Sequence, residues 1–512
     1  MGQVVYRGNL KTASMPLLSE LFGESIIVKG QDQNYVGGLA NKDTLDSAVG
    51  VPQIYYCHNV VPTDSGYKSV GYIDHTVAAY PDTTGFDNPV RIFDADGTTS
   101  NFTVTPVGNC YVMVDPSTVW AVPAGAPAPA LIAGKRVTAA LVNGTTYIYF
   151  ANYGCYSYDY ATNTMTAVTL TGLTAADIIG VVGDGGYLVA YSTTAIAWSS
   201  VLDPTDFVPS LITGAGGGQV EGVRGTIVTV TSVYSGMLVF ASKNAVAAIR
   251  SGNERHPYNF IEINGCGGLE DPRYVTVDNN SGAAYAYTSA GLQTVSFREA
   301  KIVFPEITDF LSGSRFEDFN ENTNELIQTD TTGSVIQKKL CLVANRYLVI
   351  SYGLAALTHA IFYDLGSKQF SKLKITHKAC FEVSGESLET PKKSCGFLTS
   401  GGGIKILNAD IAATNSSGVM LLGKYQYVRS RLLTLESVRI NNINVGDTFS
   451  LYDLPSLDGE TLRAALVGYL ALSSGKVRTY TFHNTALNHT ICWKGAFHAT
   501  SIVITFHVNG RR

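Results

Sequence analysis

Between Ala140 and Tyr160 the chain runs through two short segments rich in Val, Tyr, Ile and Phe, separated by Asn143-Gly144. Asn-Gly accepts positive φ at both central positions of a tight turn, so this pattern predicts a β-hairpin. Comparable units return at Asp184-Gly185, Ser235-Gly236, Ser281-Gly282 and around Asn345. Their separations along the chain are 41, 51, 46 and 63 residues. A recurrence of roughly 40–50 residues, with several strands per unit, predicts a β-propeller. The expected fold is mainly β: a β-propeller-like body of six or seven blades, an N-terminal arm and a small C-terminal α+β module.

The pattern places an N-terminal arm with lead-in strands at 1–72, the propeller body at 73–423 and the C-terminal module at 424–512. Blades are expected at 73–133, 134–172, 173–222, 223–272, 273–304, 335–376 and 377–423. In the arm, Ser14 is placed to cap a short helix carrying Pro16, Leu17, Leu18 and Leu21 and stopped by Gly23. Ile26, Ile27 and Val28 read as a strand. Such an arm has no core of its own and is expected to lie on the body or on a neighbouring subunit. Pro52 and Pro62 bracket a strand, and Ser65-Gly66 turns the chain into another. In the tail, Tyr425, Tyr427, Val428 and Leu432 suggest a strand with basic positions. Asp458 begins a helical pattern through Leu462, Leu466 and Leu470 that ends at Gly475, and a strand closes the sequence.

Composition adds assembly to this picture. Charged residues make up only 15% of the chain, with 51 Gly and 29 Tyr. Few charges fit short strands and a surface partly covered by neighbours. The net charge of −5 argues against a generally basic nucleic-acid binder, and it is unevenly spread. Residues 421–512 hold ten Lys/Arg against five Asp/Glu, leaving the remainder at about −10. Within that remainder, 305–334 carries seven acids and one base, Arg315. Phe310, Phe316 and Phe319 give this acidic insert apolar anchors. Inserts in repeat folds map to one face, often the binding face. Glu317, Asp318, Glu321 and Glu325 are the candidate channel or docking acids, and Arg429, Arg431, Arg439, Arg511 and Arg512 the candidate interface or phosphate-contacting bases.

Targeting signals and reactive motifs are not apparent. The first residues lack an apolar secretory region, and Tyr6 stands where N-myristoylation takes Ser or Thr. No apolar run reaches membrane-spanning length. The eight cysteines form no C-x-x-C pair and read as reduced core residues of a protein made in a cytoplasm. Gly214 and Gly216, Gly217 and Gly218 are followed by Gln219, not by the Lys-Ser/Thr of a phosphate loop, and read as an inter-blade loop. His483, His489 and His498 around Cys492 lack the paired spacing of a zinc site and read as strand histidines. Asp203 and Asp206 read as a turn around Pro204. No catalytic, cofactor or metal role is expected.

Three stretches are similar to the tail nozzle proteins of short-tailed bacteriophages, also called tail tubular protein B. They are Gly50 to Tyr72 (GVPQIYYCHNVVPTDSGYKSVGY), Ala195 to Ser210 (AIAWSSVLDPTDFVPS) and Gly423 to Ile440 (GKYQYVRSRLLTLESVRI). The resemblance implies a structural virion protein of the tail, a homohexameric tube that retains the genome and conducts double-stranded DNA during ejection without reading its sequence. It also implies an adaptor or portal ring above, and fibres or a needle at the side or tip. A net acidic conduit suits this role, since phosphate attraction would stall a moving duplex. The alternative is a virion or secreted propeller that binds or hydrolyses glycans.

Overall fold

The computed structural model describes residues 3–9, 26–28, 46–49, 54–63, 66–75, 89–95, 99–114, 120–253, 256–278, 281–312, 315–320, 325–330, 334–384, 393–399, 403–408, 418–427, 433–441, 448–456, 469–472, 477–486, 488–499 and 501–508. The Asn-Gly signal is realised as a turn: Asn143 and Gly144 take φ of 49° and 80° and join Val137–Val142 to Thr145–Phe150. Gly185, Gly236 and Gly282 also take positive φ at their turns, and so do Ala344 and Asn345.

Seven four-stranded antiparallel sheets result among the described residues. Blade one spans Val90–Phe93 to Trp120–Ala121, and blade two Val137–Val142 to Thr164–Val168. Blade three spans Gly180–Asp184 to Gly216–Gln219, and blade four Ile227–Val233 to Tyr258–Glu262. Blade five spans Val275–Asp278 to Ala300–Ile302, and blade six Gln337–Val343 to Gln369–His377. The first strands of successive blades lie against one another, so they line the axis and the fourth strands form the rim.

Blade seven is composite. Ala379–Ser384, Lys393–Leu398 and Ile404–Asn408 supply three strands, and Gly71–His75 supplies the rim strand. The register runs from Ile404 opposite His75 to Asn408 opposite Gly71. The ring is therefore closed by a strand that precedes blade one in sequence. The expected seventh unit at 377–423 is corrected accordingly: Gly418–Tyr427 belongs to another sheet.

Apolar seams hold neighbouring blades together. Phe102 and Phe150 meet edge to face at 6.1 Å between blades one and two. Trp198 and Tyr258 meet at 5.8 Å between three and four. Between seven and one, Trp120 and Phe381 meet at 6.1 Å among Met113, Ile404 and Ile406. Between five and six the helix Pro305–Ser312 fills the seam with Ile307, Phe310 and Leu311.

The two ends of the chain share their sheets. One sheet has the order Asp46–Val49, Gln3–Asn9, Ser501–Val508, Leu433–Asn441, Val477–Ala486. The other runs Ile26–Val28, Gly418–Tyr427, Asn488–Ala496, Thr448–Ser456, Tyr469–Leu472, with Ile54–His58 also paired to Gly418–Tyr427. The arm's described strands are thus members of the C-terminal sheets. The helix expected after Asp458 is corrected where it is described: Leu470 lies in the strand Tyr469–Leu472, paired with Thr448–Ser456. Its earlier residues, and the helix expected at Ser14, lie outside the described residues. Sheet pairing explains the change, since Phe449 to Leu451 run opposite Leu470 and its neighbours in an antiparallel ladder.

Asn59 joins this double-sheet module to the ring. Its φ is 52°, and its amide donates to Lys372 O at 2.9 Å while its carbonyl accepts from Val70 N at 2.9 Å. Its side-chain oxygen accepts from Lys374 N at 3.0 Å and Tyr72 Oη at 3.1 Å.

The seam that closes the ring generates the first prediction. Phe381→Ala removes a ring that is 4% exposed and leaves a cavity between blades seven and one. The expected cost is about 3–5 kcal/mol, read as a lower urea midpoint. A loss under about 1 kcal/mol, the level of an exposed site, would show that the seam does not stabilise closure.

Candidate functional site

Strand alternation sets the two faces of the ring. Turns between first and second strands, and between third and fourth, lie on one face. Crossovers from rim to axis lie on the other. The acidic insert leaves the rim strand of blade five and enters the axial strand of blade six, so it belongs to the crossover face. After its helix comes a separate two-stranded ribbon, Arg315–Asn320 and Glu325–Asp330.

The candidate acids are distributed over this ribbon. Glu317 pairs with Gln328, Asp318 with Ile327, and Glu325 with Asn320; Glu321 lies outside the described residues. The anchor expected at Phe310 is 1% exposed, packed edge to face on Tyr352 at 5.2 Å, with Lys372 Nζ 4.7 Å from its ring centroid. Thr308 Oγ1 accepts from Leu292 N at 3.0 Å and ties the helix to blade five. Of the candidate bases, Arg439 is exposed on Leu433–Asn441, opposite Thr479 and Val503. Arg429, Arg431, Arg511 and Arg512 lie outside the described residues.

The opposite face carries an apolar projection that sequence reading did not single out. The loop between Ala195–Trp198 and Gly216–Gln219 exposes Leu202 at 90%, Leu211 at 74% and Ile212 at 96%, beside Val201 and Val208. Asp203 Oδ1 accepts from Thr205 N at 2.8 Å, and Asp206 Oδ1 from Val208 N at 3.0 Å, as the turn reading expects. Trp198 Nε1 donates to Gly214 O at 3.0 Å. Gly216–Gln219 is the rim strand of blade three, which corrects the inter-blade loop expected there. A Cβ on Gly217 would meet Ile196 O at 2.8 Å, so close backbone approach accounts for that glycine, whereas Gly218 faces open space. Tyr234, 86% exposed, stands at the first turn of blade four on this same face.

Charged groups tie the blades together. The Glu382 carboxylate of blade seven pairs with Arg91 of blade one and with Lys393 at 3.2 Å, and accepts from Ala344 N of blade six at 2.6 Å. Asp184 of blade three accepts from Arg250 Nε of blade four at 2.9 Å. Arg136 donates to Val228 O at 2.6 Å and to Thr229 Oγ1 at 2.8 Å.

One buried constellation has the form of a general-base pair. His377 Nδ1 lies 2.8 Å from Ile375 O, which requires a proton on Nδ1, so Nε2 accepts from Ser351 Oγ at 2.7 Å. Ser351 and His377 are 0% and 1% exposed. The pair therefore fastens two strands of blade six within its core. Burial pushes the imidazole down to about 4. His489 is also buried, with Nδ1 3.0 Å from Asp453 Oδ2 across the C-terminal sheet. Among the described residues no three His, Cys, Asp or Glu side chains come together as a metal site. A cavity of about 230 Å3 beside blade two, at its connection to blade three, is lined by Tyr149, Tyr153, Cys155, Leu170 and Ile178. Burial holds its Cys155 thiol up at about 12, so this thiol is inert at neutral pH.

These observations define the class: a seven-bladed β-propeller whose ring is closed by an upstream strand, joined to a double-sheet module built from both ends of the chain. No protein-family model and no curated protein matches the chain. Among solved structures, the extracellular domain of a one-component system from B. thetaiotaomicron aligns with 12% identity and a TM-score of 0.40, over 91% of this chain and 64% of that one. This chain thus spans less than two thirds of that domain's length. YCF48 from Cyanidioschyzon merolae aligns with 8% identity and a TM-score of 0.40, over 67% of this chain and 100% of that one. The WD40 β-propeller domain of Doa1 aligns with 8% identity and a TM-score of 0.39, over 67% and 97% of the two chains.

His377 gives a pH prediction. Its folded pKa of about 4 lies below the ordinary 6.5, so the unfolded chain binds the proton first. The contribution is complete above the ordinary value and is lost as pH falls toward the folded one. About 3 kcal/mol is at stake. Urea midpoints should fall across this window for the native protein and change less for His377→Gln. Equal slopes for the two proteins would refute the assignment.

Proposed function

We propose that this chain is a structural subunit of the distal tail tube of a short-tailed phage, assembled as a homohexamer around a DNA channel. The observation that carries the reading is the projecting loop with Leu202, Leu211 and Ile212 exposed on a turn-braced scaffold. Exposed apolar groups clustered in this way mark contact surfaces. The loop also falls within the stretch Ala195 to Ser210 that resembles nozzle proteins and continues beyond it. Low charge content and an acidic insert on the crossover face fit a subunit that contacts neighbours and bounds a path for DNA. Adaptor or portal ring and fibre or needle contacts, and a virion location, belong to the same reading.

Native mass spectrometry and electron microscopy of the purified chain test it. Six-fold rings are expected, and Leu211→Asp with Ile212→Asp should shift the population to monomer without moving the melting temperature. A native protein that stays monomeric at high concentration and is retained on glycan arrays would overturn it in favour of a glycan-binding propeller.

The insert has its own test. Changing Glu317, Asp318, Glu321 and Glu325 to Gln or Asn should leave thermal stability nearly unchanged, since exposed charges contribute about 0–1 kcal/mol. Ring assembly should change in a salt-dependent way, or DNA release should slow. Unchanged assembly, release and infectivity would remove both the channel and docking roles.

A further inference from the structure

The two faces of the ring carry apolar features of opposite shape. On the turn face, the loop of blade three ends in a small closed turn. Ser210 N donates to Ala215 O at 3.0 Å, and Gly214 N donates to Ser210 O at 3.0 Å. Ser210 Oγ accepts from Ile212 N at 3.2 Å. Leu211 and Ile212 are the exposed side chains of this turn. Its backbone is already braced, so seating the two side chains in a partner costs little ordering.

On the crossover face, the cavity of about 230 Å3 beside blade two is a pocket with an apolar wall. Tyr149 and Ile178 are buried in it, Leu170 and Leu173 are half-buried, and Thr169 and Ala175 are exposed at its lip. The segment that arches over the pocket is pinned to blade two. Tyr149 Oη donates to Ala175 O at 2.9 Å, Asn152 N to Ile178 O at 2.8 Å and Asn152 Nδ2 to Ala176 O at 2.6 Å. A Cβ on Gly154 would meet nothing within 4 Å, so the pocket has room at this wall. A cavity of about 150 Å3 already holds a six-carbon ring, so this larger one has space for branched aliphatic side chains.

The loop and the pocket lie on opposite faces, so they cannot meet within one molecule. Charge favours their meeting between molecules. From Ser199 to Val223 the chain holds Asp203, Asp206 and Glu221 and no base. At the pocket's edge, Arg136 O accepts from Ala151 N at 2.9 Å, which places Lys135 and Arg136 beside it; Asp177 is the acid on the arch.

We propose that Leu211 and Ile212 of one copy seat in the pocket beside blade two of the next copy. This rests on the ring-forming reading above and names the receptor for its exposed loop. Seating removes apolar surface from water on both copies. A projection on one face and a pocket on the other make a heterologous contact. Such a contact repeats head to tail and closes into a ring when the rotation between copies allows.

Two variants each remove one half of the contact. Leu211→Asp with Ile212→Asp spoils the loop, and Gly154→Phe fills the pocket. Thr169→Arg at the lip replaces the second variant if Gly154→Phe does not fold. Native mass spectrometry compares the native chain, each variant and an equimolar mixture of the two variants. Rings are expected for the native chain and monomers for each variant alone. The mixture should give a one-to-one heterodimer, because the pocket variant keeps its loop and the loop variant keeps its pocket. Native rings with a mixture that stays monomeric, or with a folded pocket variant that forms rings as well as the native chain does, would overturn the pocket as receptor and leave the ring reading standing. A native chain that never leaves the monomer overturns both.

Discussion

Everything else in this molecule depends on closing the ring with a strand borrowed from far away in sequence. Gly71–His75 completes blade seven against Ile404–Asn408, so more than three hundred residues lie between partners that share one short ladder. The entropy of closing so long a loop grows only logarithmically with its length. The ladder alone is short, but the closing blade is also held by the Trp120–Phe381 seam and by Glu382. That carboxylate reaches groups from blades one, six and seven, which makes it a common point of the last two joints. Removing one partner would leave charge behind in a partly buried setting, so its value lies in being complete.

The same logic governs the seams. Each sheet is apolar on both faces because each is covered by two neighbours. Tyr191, Tyr352 and Tyr363, which look amphipathic in the sequence, are almost fully buried. Between blades five and six the helix Pro305–Ser312 serves as packing, and among the described residues the ribbon that follows pairs with no other sheet. An acidic composition therefore conceals two different structures in one insert, an apolar wedge and a polar ribbon.

Much of the ring was legible from local chemistry. Asn143-Gly144 and Ser281-Gly282 encode turns by their own φ preferences, and turns that repeat at blade spacing reveal blades. Non-local pairings were not legible. Nothing near Gly71 announces a partner at Asn408, and nothing near Gln3 announces His507. Helical spacing of Leu462, Leu466 and Leu470 misled because Leu470 is in a strand of the six-stranded sheet, where tertiary pairing overrides a periodic signal. The glycine run misled for the opposite reason, since it is itself a strand, in which close contact with Ile196 and Ala197 selects glycine at position 217. Among candidate site residues, the acids could be grouped by composition, but the sequence reading did not foresee the two-stranded ribbon that carries Glu317, Asp318 and Glu325. The exposed Leu211 and Ile212 were readable as residues but not as exposed.

The weaving of the N-terminal strands into the C-terminal sheets has a consequence for synthesis. Gln3–Asn9 lies between Asp46–Val49 and Ser501–Val508, so one of its edges has no described partner until Ser501–Val508 has been made. Gly71–His75 waits likewise for Ile404–Asn408. Blades one to six can form in order as they emerge, while Gly71–His75 and one edge of Gln3–Asn9 wait for their partners. A chain halted before Ser501–Val508 leaves that edge of Gln3–Asn9 open, and open edges invite pairing with other molecules. Synthesis of Ser501–Val508 is thereby the event that covers this edge of Gln3–Asn9.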